Sequence, residues 1–265
     1  MRRLGQSLAI AGAILFYSPE WIPLDAGLVR ALAAALFLGA LTMAVRGAVL
    51  GSLRENTRMT ALPDDAIHGP CLRLVGNIEA LGFARLGPAL RVHIDPEASI
   101  VPLWNAAERT YATVFASDGE PAQAHYDFVT VFEPGEVALT SAANRSAGVL
   151  PQPRGVFLQI FPGAAPETLI ERHREGRDHV ARAAGVQPRP CCADFEELLA
   201  RALRRQRHAF LTAPLRNTWI ALWRTVSKRT PALGPVAAQA ATRDRIDALA
   251  DPLARADADD VLAVR

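Results

Sequence analysis

Lysine is nearly missing from this chain. Lys228 is the only one among 29 basic residues, and the rest are arginine. A preference that uniform is a compositional bias, so arginine alone is not read as phosphate recognition. A charge excess is missing too. The formal net charge is +2 over 265 residues, which removes any global electrostatic case for nucleic-acid binding. Cysteine is scarce, with Cys71, Cys191 and Cys192 as the whole set. An odd, sparse set excludes a disulfide framework and fits a reducing compartment. Cys191-Cys192 lacks zinc-ligand spacing, and no second pair completes a site. The sequence contains no Gly-x-Ser-x-Gly elbow, phosphate loop, dinucleotide fingerprint or His-Glu-x-x-His helix. The usual sequence placements of a nucleophile, a nucleotide or a catalytic zinc are therefore absent. Neither a cofactor nor a metal is expected.

Apolar residues make up 50% of the chain, and their excess lies at the N-terminus. Leu4 to Pro19 carries no charge. A break with two prolines and two acids follows, Ser18-Pro19-Glu20-Trp21-Ile22-Pro23-Leu24-Asp25. Ala26 to Val45 is a second apolar run, interrupted only by Arg30 and closed by Arg46. A bilayer-spanning helix needs about 20 such residues. Arg2 and Arg3 precede the first run, Arg46, Arg54 and Arg58 follow the second, and the connecting loop has no basic residue. The positive-inside rule then predicts a two-pass hairpin in the cell (inner) membrane with both ends cytoplasmic. Tyr17 and Trp21 would sit at the outer interface, and Arg30 lies close enough to the outer end to snorkel. A cleaved signal fits poorly, because Tyr17-Ser18-Pro19-Glu20 follows the apolar core where a small-x-small site belongs.

Beyond the hairpin the periodicity changes twice. Gly47 to Met59 reads as the exit of the second helix. Cys71, Leu74, Val75, Ile78 and Leu81 have helical spacing, with Gly82 placed to end the helix. Strands are expected at 89–94, 111–117, 125–132, 136–141 and 156–161. Glu133-Pro134-Gly135 turns a hairpin with Phe128 and Phe132 facing the core. A helix starts at Pro166 and carries Leu169, His173, Gly176, Val180 and Ala183 as a stripe, ending at Gly185. The fold class read from this order is α+β: the transmembrane hairpin, an antiparallel sheet with helices on one face, and a helical C-terminal extension. The divisions are 1–58 (hairpin), 59–186 (α+β domain), 187–230 (basic amphipathic helices) and 231–265 (a partly disordered tail, helical in part over 243–253). Leu81-Gly82-Phe83, the Phe128 to Thr140 hairpin and the Leu169 to His173 helix, over about residues 70–185, resemble bacterial membrane-tethered proteins of unknown function. The resemblance implies no activity.

His125 and Asp127 share the non-aromatic face of their strand, and Ser141 and Arg145 lie near the end of the next. An imidazole, a carboxylate and a hydroxyl are the raw materials of acyl transfer, so these four are the catalytic candidates. An ordinary polar strand face accounts for the same pattern. Glu171, His173, Glu175, Asp178 and His179 do not form a metal set, since His173 and His179 point about 120° apart on a helix. His173 falls within the apolar stripe and reads as a core histidine. The segment 215–229 sets Trp219, Ile220, Leu222, Trp223 and Val226 on one side, among Arg216, Arg224, Lys228 and Arg229. That composition suits either a packed helix or one lying on an anionic leaflet, with Trp219 and Trp223 at the headgroups. The expected role is a membrane-anchored cytosolic binding or scaffolding module whose expected partner is the lipid bilayer. The alternatives are a membrane-bound hydrolase or transferase acting on a lipid or small molecule, and a subunit of a larger membrane complex.

Overall fold

The computed structural model describes residues 26–53, 58–94, 97–117, 123–133, 137–190, 195–227 and 233–239. The first apolar run with Tyr17 and Trp21, the Cys191-Cys192 pair and the stretch 243–253 lie outside the described residues. The chain runs through helix α1 (Ala26–Ser52), strand β1 (Met59–Leu62), helix α2 (Gly69–Glu79), and strands β2 (Ala84–Arg85), β3 (Ala89–Val92), β4 (Ala98–Asn105), β5 (Thr110–Ser117), β6 (Ala124–Val131), β7 (Ala138–Ala142) and β8 (Val156–Ile160). Helices α3 (Pro166–Ala184), α4 (Phe195–Leu211) and α5 (Pro214–Ser227) follow. The fold is α+β.

The strands form one 8-stranded sheet in the order β1-β3-β4-β5-β6-β7-β8, with β2 beside β4. The β6–β7 hairpin pairs Phe128 with Ser141 and Val131 with Ala138, and Phe128 and Phe132 are fully buried, as the alternation predicts. β8 departs from the expected antiparallel pattern. It pairs parallel to β7, Ser141 opposite Gln159, because the chain between them crosses over instead of turning tightly.

β4 escapes a reading by periodicity because it contains Pro102, and a proline argues against a central strand. Its placement explains the tolerance. β3 covers β4 at Ala98–Ile100 and β2 covers it at Leu103–Trp104, so Pro102 falls in the gap between two neighbours. The Pro102 carbonyl accepts from Leu86 N at 3.0 Å on that side, so the missing N–H faces a place where no ladder partner is required. β1 was equally hidden: the helix ends at Ser52, and Met59 to Leu62 pairs with β3.

Helices cover both faces of the sheet, not one. On the first face, Cys71, Val75 and Ile78 of α2 and Leu169 and Ile170 of α3 pack on Val101, Leu103, Ala112, Val114 and Phe128. On the second, Phe195, Leu198 and Leu199 of α4 meet Leu90, Tyr111, Val129 and Val131. The cause lies in the strands. β5 and β6 place apolar residues at odd and even positions alike, so each face needs a cover. α3 begins with Pro166 in its first turn and ends at Gly185 with φ 65°, the left-handed conformation that glycine adopts without strain. Beyond α5, residues 233–239 lie along β8: Ile160 N donates to Leu233 O at 2.6 Å, and Val236 is fully buried.

Outside the sheet stands α1. Its segment Arg30–Gly51, 22 residues, is long and apolar enough to cross a membrane, about 33 Å at 1.5 Å per residue. Most of it is uncovered, with Leu28, Leu32, Phe37 and Leu38 exposed, while Ala33 and Ala40, seven residues apart on one side, are buried. α5 packs against α1, and Arg207 of α4 reaches the Leu53 carbonyl at 3.3 Å.

Candidate functional site

The first face of the sheet carries a line of polar side chains inside an apolar layer. Alternation puts Thr130 on the same side as Tyr126 and Phe128, Ser141 beside Leu139, and Gln159 beside Phe157; cross-strand pairing aligns Ser141 with Gln159. α3 lays His173 over them. Thr110, Thr130, Ser141, Gln159 and His173 are all fully buried. Gln159 Nε2 donates to Ser141 Oγ at 2.6 Å and to the Arg172 carbonyl at 2.8 Å. Ser141 Oγ meets His173 Nδ1 at 2.7 Å, His173 Nε2 meets Thr130 Oγ1 at 2.8 Å, and Thr130 Oγ1 meets Thr110 Oγ1 at 2.9 Å.

The direction of this line is fixed at its end. Thr110 Oγ1 donates to the Glu108 carbonyl at 3.0 Å, and a carbonyl only accepts. Thr130 must then donate to Thr110, His173 Nε2–H to Thr130, and Ser141 to His173 Nδ1. His173 is thus the neutral Nε2–H tautomer. Burial, with a smaller push from the Arg177 charge, holds its pKa down at about 3. The Ser141–His173 contact pairs a hydroxyl with an imidazole, but both groups are sealed from solvent and the far nitrogen meets a hydroxyl instead of a carboxylate. Its work is to bind α3 to the sheet. Gly176 completes the fit, since a Cβ there would stand 2.8 Å from Gln159 Oε1. The line ends beside Glu108, whose carboxylate accepts from Arg177 Nη1 and Arg174 Nη2 at 2.8 Å each. Burial alone would raise its pKa, but the two arginines outweigh it and lower it.

The three catalytic candidates whose side chains are described are not brought together. His125 and Asp127 lie on the second face of β6, while Ser141 points into the first. Arg145 opens a short 3-10 turn after β7, and its side chain lies outside the described residues. Asp127, half-buried, accepts from Thr113 Oγ1; burial pushes its pKa up to about 6 against that hydrogen bond. His125 stacks near Phe115 and lines a shallow groove of about 610 Å³ with Arg73, Asn77 and Gln123. A smaller cavity of about 220 Å³ lies between α4 and the sheet, walled by Val129, Val131, Val156 and Leu198 with Arg201 and Arg205 at its rim.

A different hydroxyl, imidazole and carboxylate do meet. Thr60 Oγ1 lies 3.1 Å from His93 Nε2, and His93 Nδ1 lies 2.8 Å from Glu97 Oε1. The ionised carboxylate only accepts, so Nδ1 carries a proton, and in the neutral imidazole Nε2 accepts from Thr60. The His93 and Glu97 side chains are 34% and 41% exposed, so the group opens to solvent. Arg91 is the cross-strand partner of Thr60. The sequence hid this group because Thr60 sits in the undetected strand β1. The only local signal was a histidine and a glutamate flanking Asp95-Pro96.

α5 separates residues that the sequence grouped. Asn217, Thr218, Ala221 and Leu222 are buried, whereas Leu215, Trp219 and Trp223 are 65%, 43% and 65% exposed. Spaced four apart, the last three form one outward stripe. The inner side is anchored by Asn217 Nδ2 to the Ala209 and Phe210 carbonyls and by Arg224 Nη1 to the Gly148 carbonyl at 2.7 Å. The side chain of Val226 lies outside the described residues. No family model, curated protein or solved structure matches the chain.

Proposed function

We propose that this chain is a membrane-anchored cytosolic binding or scaffolding module, held on the inner leaflet of the cell membrane by a two-pass hairpin, with α5 resting in the headgroup region. The observation that carries the reading is the outward stripe Leu215-Trp219-Trp223 on a helix packed against α1. Exposing two tryptophans and a leucine to water is costly. At about 25 cal/mol per Å² of apolar surface, three large side chains gain several kcal/mol by entering an interface. Tryptophan favours the headgroup boundary, and Arg216 on the same helix adds attraction to anionic lipid. The uncovered apolar surface of α1 calls for the same solvent. Small buried residues at Ala33 and Ala40 suit close approach of a neighbouring helix, as a hairpin requires. The arginines at both ends of the apolar region, with none in the loop, support cytoplasmic termini.

Reporter fusions at Ile22 and Thr60 test the topology: they should report opposite compartments, and the same compartment at both would refute the hairpin. The interfacial helix is tested with the full protein in anionic vesicles containing brominated lipid. Tryptophan emission should be quenched, and the Trp219→Phe/Trp223→Phe double variant should lose most of that quenching. Equal fractional quenching in both proteins would remove α5 from the membrane.

A further inference from the structure

The geometry points to an esterase site at the β1 edge of the sheet, with Thr60 as nucleophile, His93 as general base, Glu97 as the residue that orients and charges the base, and Arg91 as the cation facing the developing oxyanion. The substrate class is a carboxylic ester.

The placement follows from the strands. Thr60 and Arg91 are register partners on β1 and β3, so their side chains leave the same face with Cβ atoms about 5 Å apart. His93 stands two residues beyond Arg91, on that face again by the period of a strand. Its backbone N donates to Arg58 O at 3.0 Å, which continues the β1–β3 pairing out to the imidazole. Glu97 returns at the start of the next strand to meet Nδ1 at 2.8 Å. These contacts give the polarity that activates a hydroxyl. The carboxylate holds the proton on Nδ1, which leaves the Nε2 lone pair aimed at the Thr60 O–H at 3.1 Å. Arg91 forms no ion pair among the described residues, and its Nε has no hydrogen-bond partner. As the register partner of Thr60, Arg91 puts a guanidinium charge on the face where a tetrahedral oxyanion would form.

In the first step Thr60 Oγ1 forms a bond to the ester carbonyl carbon as its proton passes to His93 Nε2. The carbonyl electron pair moves to oxygen, opposite the Arg91 charge. Collapse breaks the bond to the alkoxy group, which leaves as the alcohol with the proton from Nε2. Water, deprotonated by the same nitrogen, then attacks the acyl-threonine. This releases the carboxylic acid and restores the Thr60 hydroxyl. No redox change occurs, and water is the only co-reactant.

The test uses the full chain in detergent micelles with p-nitrophenyl acetate. Hydrolysis should be measurable above buffer, and acid-quenched peptide mapping should find the acetyl group on Thr60. Thr60→Ala and His93→Gln should each lower the rate by roughly 10²-fold or more, the usual size of a general-base contribution. Thr60→Ser should retain activity, and Glu97→Gln should shift the pH-rate profile. Circular dichroism identical to the parent excludes unfolding. A Thr60→Ala variant that keeps the parent rate, an acetyl group found only on other residues, or no hydrolysis by the folded parent would each overturn the assignment.

Discussion

Acidification should weaken this fold through His173 in a way that a single substitution can isolate. The imidazole is neutral, sealed and hydrogen-bonded at both nitrogens, with a pKa near 3 in the folded state against 6.5 for the free side chain. Between those values the unfolded chain binds a proton that the folded chain refuses. Stability is therefore fully present above pH 6.5 and falls as the pH drops toward 3, with a slope of about 1.4 kcal/mol per pH unit. Over the two units below 6.5 the loss is roughly 3 kcal/mol. Asp127 acts in the opposite sense. Its raised pKa of about 6 makes the folded state the better proton binder between 3.8 and 6, so it adds stability as the pH falls through that window. The two oppose each other between pH 3.8 and 6, so a plain acid titration would mix them. His173→Gln removes one titration and leaves the other, because Asp127 sits on the opposite face of the sheet. Urea unfolding of parent and variant at pH 7, 5.5 and 4.5 should show the variant gaining on the parent by about 3 kcal/mol at the lowest pH. Nitrogen-15 spectra of the parent should show the Nε2–H tautomer throughout. A constant gap between the two proteins, or a His173 resonance titrating near 6.5, would refute both the sealed network and its direction.

Two further outcomes test the packing. Phe128→Ala should destabilise by about 3–5 kcal/mol in urea unfolding, because the ring is fully buried between Phe83, Tyr126 and His173; a loss of a few tenths would mean a shifted register. Gly176→Ala, normally favourable in a helix, should instead cost on the order of 1–3 kcal/mol by thermal melting. The new methyl strikes a Gln159 amide held at both ends, so the side chain has nowhere to go.

The parts of this fold that were legible in the sequence are those where one local signal acted alone. The helix from Pro166 to Gly185 has its start, stripe and stop written in order, and the antiparallel pairing of β6 with β7 follows from strict alternation in both strands. β4 was illegible because the tolerance of Pro102 depends on where two other strands stop. The second helical layer could not be read because α4 lies far along the chain from the residues it covers. His173 illustrates the limit from both sides. Its place in the apolar stripe marked it as a core residue, yet its partners come from β6 and β7, and only the folded sheet reveals them. The Thr60, His93 and Glu97 group was missed for the same reason, since its hydroxyl and imidazole lie 33 positions apart.

The docked segment at residues 233–239 bears on how the chain is made. Val236 N donates to Gln159 Oε1 across 77 positions, and Leu233 pairs with the otherwise open rim of β8. During synthesis α1, α2 and the strands emerge first, α3, α4 and α5 follow, and the strip that closes the rim comes last. Until it arrives, β8 offers unpaired amides to any neighbouring strand, and the buried glutamine lacks one of its donors. Completion of the domain is thus deferred until after α1 and α5 have left the ribosome. A chain cut short before residue 233 would carry every element of the sheet and still present a sticky border.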